Sequence, residues 1–312
     1  MDWLDERIRE AGDHQDPLKI MYRVDGSSDL HEEVLDHLEG YRGSRPVRIG
    51  SGAADQLSST STARRCTPCT CRRAGHPGVA PGVEGTVRLV DWLCHNWDKR
   101  DAGIWEAGTT PQLHVRPGDV LGGTGRGHPA GHPHRPARDM SCWTEQRNRI
   151  YNQVMARGFH RERGSFVQAY DENVLDAALL YMPAVGFVTP SDPLWLSTLE
   201  SIERDLVSDS LVHRYDPVHS PDGLPGHEGT FNMCTFWYVE ALARSGRLDD
   251  ARLTLEKMFT FSNHLGLYAE EIASTGEQIG NYPQAFSHLA LINSALTVND
   301  LLDAEADARL RR

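Results

Sequence analysis

The chain has 312 residues and a formal net charge of −12. That length allows one large domain or two ordinary ones around a buried core, and the acidic balance excludes phosphate backbones and anionic membranes as general partners. Residues 1–7 are charged and lack the apolar core of a signal peptide, and the longest mostly apolar stretch, 174–188, is interrupted by Asp176 and Pro183 and is too short to cross a bilayer. The expectation is a soluble, cytoplasmic protein.

In chain order, residues 2–11 predict a helix with Trp3, Leu4 and Ile8 apolar among charges. Residues 86–98 predict a second, whose stripe is Val87, Val90, Leu93, Cys94 and Trp97. Residues 193–209 open with Asp192 as N-cap and Pro193 at the first helical position. A helical hairpin follows over 230–245 and 247–263, broken at Gly246, and 283–306 forms a last helix with large apolar residues interleaved among small ones. Strand-type alternation is scarce, so the fold class is all-α.

Two segments break this pattern. Residues 59–82 and 107–139 are rich in Gly, Pro, Arg, His and Ala, with almost no apolar periodicity, and cannot bury enough surface to offset the entropy of ordering. They read as long flexible loops or, better, as frame-shifted text from a GC-rich gene, since helical pattern resumes abruptly after each.

The residues that could carry chemistry fall in a few places. Glu106 follows Trp105 in the run Gly103-Ile104-Trp105-Glu106; contact with an apolar ring raises a carboxyl pKa and suits a proton donor. A second acidic group lies at Glu270-Glu271, followed by Glu277-Gln278, which could add polar contacts to a sugar. Read alone, each is more readily an ordinary solvated carboxylate. Together, two carboxylates brought to one cleft are what inverting glycoside hydrolysis requires, about 6.5–9.5 Å apart, one as acid and one as base for water. Cys66, Cys69, Cys71 and His76, and the tract His128, His132 and His134, lack paired metal-ligand spacing; no metal or cofactor is expected. The other cysteines, 94, 142 and 234, suit reduced thiols. The turn of Leu242 to Ala251 is like that of a tetratricopeptide repeat, but no second copy follows at the repeat period, which weighs against a helical-repeat interaction protein.

Longer runs change the weighting. GYRGSRPVRIG (40–50), LVDWL (89–93), GIWE (103–106), the stretch 175–217, GTFNMCTFWYVEALARSGRLDDA (229–251) and LYAEEI with GEQ and FSHLAL (267–291) together resemble glycoside hydrolase family 15. That family comprises glucoamylases, glucodextranases and bacterial trehalases on an (α/α)6 barrel. The resemblance implies an α-glucoside hydrolase acting on maltooligosaccharide or trehalose, with Glu106 as general acid and Glu270 as general base. It implies that Tyr41, Arg45, Arg48, Trp105, Arg214, Tyr215 and Glu271 lie along the sugar pocket. Relative to the family, Ser51 stands where an asparagine is usual, and no Trp-x-Arg-Asp segment, the family's glucose clamp, occurs in the sequence. The expectation is therefore a single partial catalytic domain over 1–312, truncated at its N-terminus. A catalytically inactive remnant is the alternative.

Overall fold

A computed structural model describes residues 19–54, 83–98, 104–105, 137–215 and 228–310, with Trp3, Glu6, Arg7 and Glu10. Two compact units divide at Asn152 and Gln153.

In the first unit the predicted amphipathic helix is α1 (Val83–Asn96). Its Leu89, Val90, Leu93 and Cys94 form a small core with Trp143 of α2 (Ala137–Arg157), flanked by Tyr22 and Trp92. The two indoles on this seam are not left with orphan N–H groups: Trp143 donates to Asp91 Oδ1 at 2.5 Å and Trp97 to Gln146 Oε1 at 3.1 Å. A short hairpin, β1 (Glu33–Val34) with β2 (Arg48–Ile49), carries a single 3-10 turn at Tyr41–Gly43 between its strands. Gly50, at φ +80°, closes it: a Cβ there would meet the His31 carbonyl oxygen at 2.1 Å. Of the predicted helix 2–11, Trp3, Glu6, Arg7 and Glu10 are helical. Segment 59–82, and all of 107–139 before α2 begins at Ala137, lie outside the described residues.

The second unit is built from α3 (Pro193–Leu206), α4 (Asn232–Arg244), α5 (Leu248–Phe259) and α6 (Ala285–Leu310). Asp192 caps α3 as its sequence predicts, accepting from the Leu194 N–H at 2.9 Å, and Trp195, Leu199, Ile202 and Leu206 bury one face. Where α3 ends, β5 (Val207–Ser208) turns straight back into β6 (Leu211–Val212). The two turn residues, Asp209 and Ser210, both take positive φ, as the tight hairpin requires.

Helix α4 is buried from Asn232 to Ala243. An all-round apolar helix of this kind is a core element, and α5 and α6 both pack on it. Gly246, at φ +90°, breaks α4 from α5 at the predicted place. The Arg247 N–H bonds back to the Leu242 carbonyl at 3.0 Å, closing the helix end. Helix α6 turns its small residues inward: Ser287, Ala290, Ser294 and Val298 are buried, while Phe286, Leu289, Ile292 and Leu296 are exposed. Small inward residues let its backbone approach α4 closely.

Strands are few and short, so the expected all-helical character holds. Two of the two-residue ribbons are nevertheless tied to a helix by a buried threonine. Thr198 on α3 accepts from the N–H of Phe166, in β4 (Ser165–Phe166), which pairs with β3 (Phe159–His160), at 2.9 Å and donates to the Leu194 carbonyl. Thr235 on α4 accepts from Val212 of β6 at 3.1 Å and donates to the Phe231 carbonyl. No helix among the described residues is long and apolar enough to cross a membrane.

The Thr198 link gives a direct test. Thr198→Val keeps shape but strands the buried Phe166 N–H, so unfolding should become easier by about 1–3 kcal/mol, whereas Thr198→Ser retains the bond. Urea denaturation of the two variants separates the hydroxyl from the methyl contribution; equal losses would remove the proposed role of the hydroxyl.

Candidate active site

The candidate base sits where α4 begins and α6 is about to begin. Thr230–Phe231 (β7), Glu271–Ile272 (β8) and Gln278–Ile279 (β9) form a three-stranded antiparallel sheet with Thr230 opposite Ile272 and Glu271 opposite Ile279. The run leading into β8 is fixed through its main chain. The Tyr268 N–H donates to His288 Nε2, and the Tyr268 carbonyl accepts from Gln284. His288 Nδ1 lies 2.7 Å from the Gln284 carbonyl, so a proton on Nδ1 and a lone pair on Nε2 satisfy both contacts. The Ala269 N–H donates to Gln278 Oε1, and its carbonyl accepts from Asn232 Nδ2 at 2.9 Å and Ser287 Oγ at 3.1 Å. The Glu270 N–H donates to the Asn281 carbonyl, and the Glu270 carbonyl accepts from Asn232 N–H. No main-chain group from Tyr268 to Glu270 is left over, so the segment is a rigid carrier.

Adjacent residues on an extended segment point to opposite sides, and the two glutamates do so. Glu270 turns toward the Gly280–Asn281 corner, where its Oε2 accepts from the main-chain and side-chain N–H groups of Asn281, each at 3.1 Å. Glu271 turns toward Gly229, whose N–H it accepts at 2.8 Å. Gly229 has no room for a side chain, since a Cβ would lie 2.6 Å from the Ile272 carbonyl oxygen. Burial raises the Glu271 carboxyl to about 7, with the charges of Glu228 and Glu270 adding to the effect and the Gly229 N–H and Arg214 opposing it.

Arg214 and Tyr215 enter the same neighbourhood, following β6. The guanidinium of Arg214 lies 4.7 Å from the Tyr215 ring centroid and 5.2 Å from that of Phe231, and it pairs with Glu228. Tyr215, expected along the sugar pocket, is 1% exposed and serves as the platform beneath Arg214. Gln278, expected to contact sugar, commits its amide oxygen to Ala269 and an amide hydrogen to the Phe261 carbonyl.

The remaining sequence candidates lie in the first unit. Tyr41 is two-thirds exposed, Arg45 donates to the Asp36 carbonyl at 3.5 Å, and Arg48 pairs with Glu32 at 3.3 Å, all three on the β1–β2 hairpin. Ser51 accepts from the Ala53 N–H at 3.2 Å, a short turn of its own. Trp105 is half-buried in a turn, and Glu106 lies outside the described residues. Cys66, Cys69, Cys71, His76, His128, His132 and His134 also lie outside them, and no group of three or more acidic, histidine or cysteine side chains among the described residues could hold a metal. Cys94, Cys142 and Cys234 are free thiols.

Glu228, Asn232 and Asn281 were not anticipated. Asn281 could have been suspected from the Gly-Asn-Tyr-Pro turn signal at 280–283. Nothing local singles out Glu228, which matters only because β7 and β8 pair.

The second unit is thus a set of helices that carries two divergent carboxylates on one pinned segment. The chain belongs to the glycosyl hydrolases family 15, which it matches over residues 2–296. It is 37% identical over 303 residues to the trehalase of Thermoplasma volcanium, covering 91% of this chain and 46% of that one. To the trehalase of Mycolicibacterium smegmatis it is 36% identical, covering 90% and 42%. The chain thus spans about half the length of the curated relatives it matches. Its fold is that of a glycosidase solved in complex with glucose, with a TM-score of 0.68 at 18% identity over 96% of this chain and 81% of that one.

Gly280 sits at φ +78°, and a Cβ on it would lie 2.9 Å from Glu270 Cβ and 3.0 Å from its Oε2. Gly280→Ala should therefore lose about 1–3 kcal/mol from backbone strain and push the Glu270 carboxylate off Asn281. Denaturation midpoints together with the Asn281 side-chain amide resonances check this; an unchanged resonance position would show that the corner tolerates a methyl.

Proposed function

We propose that this chain carries the catalytic carboxylates of an inverting α-glucoside hydrolase, with trehalose as the favoured substrate class and maltooligosaccharides as the alternative. The supporting observation is Glu270: a carboxylate held by two N–H donors of Asn281 on a fully bonded strand segment, in a family 15 chain whose relatives are named trehalases. The chemistry follows from charge and geometry. Glu106 gives a proton to the glycosidic oxygen as the bond to the anomeric carbon breaks. Glu270 takes a proton from the water attacking the opposite face, which inverts the anomeric configuration. A water between acid and base requires the two carboxyl groups to stand about 6.5–9.5 Å apart.

Arg214 would donate to sugar hydroxyls from its aromatic platform, with Glu271 beside it. Tyr41, Arg45, Arg48 and Trp105 would supply further sugar contacts. No metal or cofactor enters these steps. The reaction consumes an α-glucoside and releases glucose, which places it in carbohydrate breakdown.

Positioning of substrate against acid and base supplies about 7–11 kcal/mol of rate enhancement. A chain spanning about half its relatives' length should accordingly release glucose from trehalose more slowly than a full-length relative, and faster than from maltotriose. Glu270→Gln and Glu106→Gln should each abolish release, because an amide neither accepts the water proton nor donates the acidic one. Coupled-enzyme glucose detection on the three proteins decides it. Turnover surviving both substitutions would show that the pair is wrongly assigned; no turnover from the unmodified chain would favour the inactive remnant.

A further inference from the structure

The segment that carries Glu270 meets helix α6 through one imidazole. Tyr268 and Gln284 face each other as a strand pair does, but one direct bond joins them: the Gln284 N–H donates to the Tyr268 carbonyl at 3.0 Å. The return bond passes through His288. The Tyr268 N–H donates to Nε2 at 3.3 Å, and Nδ1 stands 2.7 Å from the Gln284 carbonyl. Together the three bonds close a ring. Closure needs an acceptor on one edge of the side chain and a donor on the other, at a fixed separation. Neutral histidine offers both in one rigid group, whereas glutamine and asparagine carry them on a single terminal carbon. The imidazole plane has its own support. It packs edge-on against the Tyr268 ring, with centroids 5.9 Å apart. Tyr268 is held in turn by the Phe236 ring at 5.4 Å and by its hydroxyl bond to the Met258 carbonyl at 3.0 Å.

The contacts on either side keep the same register. Ser287, one residue earlier on α6, donates to the Ala269 carbonyl, one residue further along the segment. The next residue is Glu270, whose carboxylate rests on Asn281. We infer that His288 is a positioning residue for Glu270. As the tautomer with hydrogen on Nδ1, it sets how closely the segment lies on α6 and so where the Glu270 carboxylate stands. A ring with its hydrogen on Nε2 would aim N–H at N–H and hold the segment off. The effect on turnover rests on the reading of Glu270 as base; the tautomer and the bridge do not. For that reading the distance matters, since a shift of about 1 Å at a reacting group lowers the rate about a hundredfold.

The test separates the two ring nitrogens. In His288→Gln the amide oxygen takes the place of Nε2 and still accepts from Tyr268. In His288→Asn the amide nitrogen takes the place of Nδ1, reaching Gln284 but leaving the Tyr268 N–H without its acceptor. In 15N spectra of the unmodified chain, His288 should be protonated at Nδ1 and bare at Nε2; the opposite tautomer overturns the bridge. This measurement needs no variant, so it decides even where His288→Asn does not fold. Hydrogen exchange at the Tyr268 amide should quicken about ten- to a hundredfold in His288→Asn and stay near the unmodified rate in His288→Gln. The Asn281 side-chain amide resonances, which report the Glu270 carboxylate, should move in His288→Asn and hold in His288→Gln. Unmoved resonances beside a fast Tyr268 amide overturn the positioning role. So do equal changes in the two variants, which would make His288 a packing residue. Glucose release from trehalose reads the same displacement: kcat should fall about a hundredfold in His288→Asn at unchanged KM, and His288→Gln should restore most of it. Turnover abolished by Glu270→Gln but untouched by His288→Asn overturns the positioning role alone. Turnover that survives Glu270→Gln overturns the hydrolase reading, and the tautomer and resonances still decide the bridge.

Discussion

The second unit depends on how the main chain from Tyr268 to Glu270 is satisfied. An irregular segment between a helix and a two-residue strand has few main-chain partners of its own, and inside a protein each unpaired group is expensive. Here the partners come from other elements: Asn232 at the start of α4, Gln284, Ser287 and His288 around the start of α6, and Gln278 and Asn281 on and beside β9. Moving any one helix would strand buried donors and acceptors, so the helices and the carboxylate segment hold one another in register.

That arrangement explains why so little sheet is enough. Ribbons of two residues are unstable alone, but β4 and β6 are each bonded to a helix by a buried threonine side chain, and the segment leading into β8 by Asn232 and Ser287. The helices supply buried area and the polar side chains supply direction. Helix α4 sits at the centre because it is apolar on every side, and α6 fits against it because its inward residues are small. The outward Phe286, Leu289, Ile292 and Leu296 are the reverse of an ordinary surface helix.

Electrostatics divides the two adjacent glutamates. Glu270 faces the N–H donors of Asn281, while Glu271 lies in buried surroundings near another carboxylate, which raise its carboxyl above the usual range. Strand geometry makes the division automatic, since neighbours on an extended segment point apart. One short segment therefore presents two adjacent carboxyl groups to different surroundings.

The sequence by itself determined the helices, because their signals are local. Asp192 and Pro193 start α3, Gly246 ends α4, and the apolar spacings within α1 and α3 repeat at the helical period. The family was legible for a similar reason: GIWE, GYRGSRPVRIG and LYAEEI with GEQ are contiguous runs, and contiguity is what a sequence displays. The tertiary structure alone decided what each polar residue does. Tyr215 became a platform under Arg214, Gln278 a bridge between two backbone groups, and Glu228 the partner of Arg214, 14 positions away. Those roles come from pairing of β7 with β8 and from burial, which depend on residues far apart in the chain and leave no periodic trace in it.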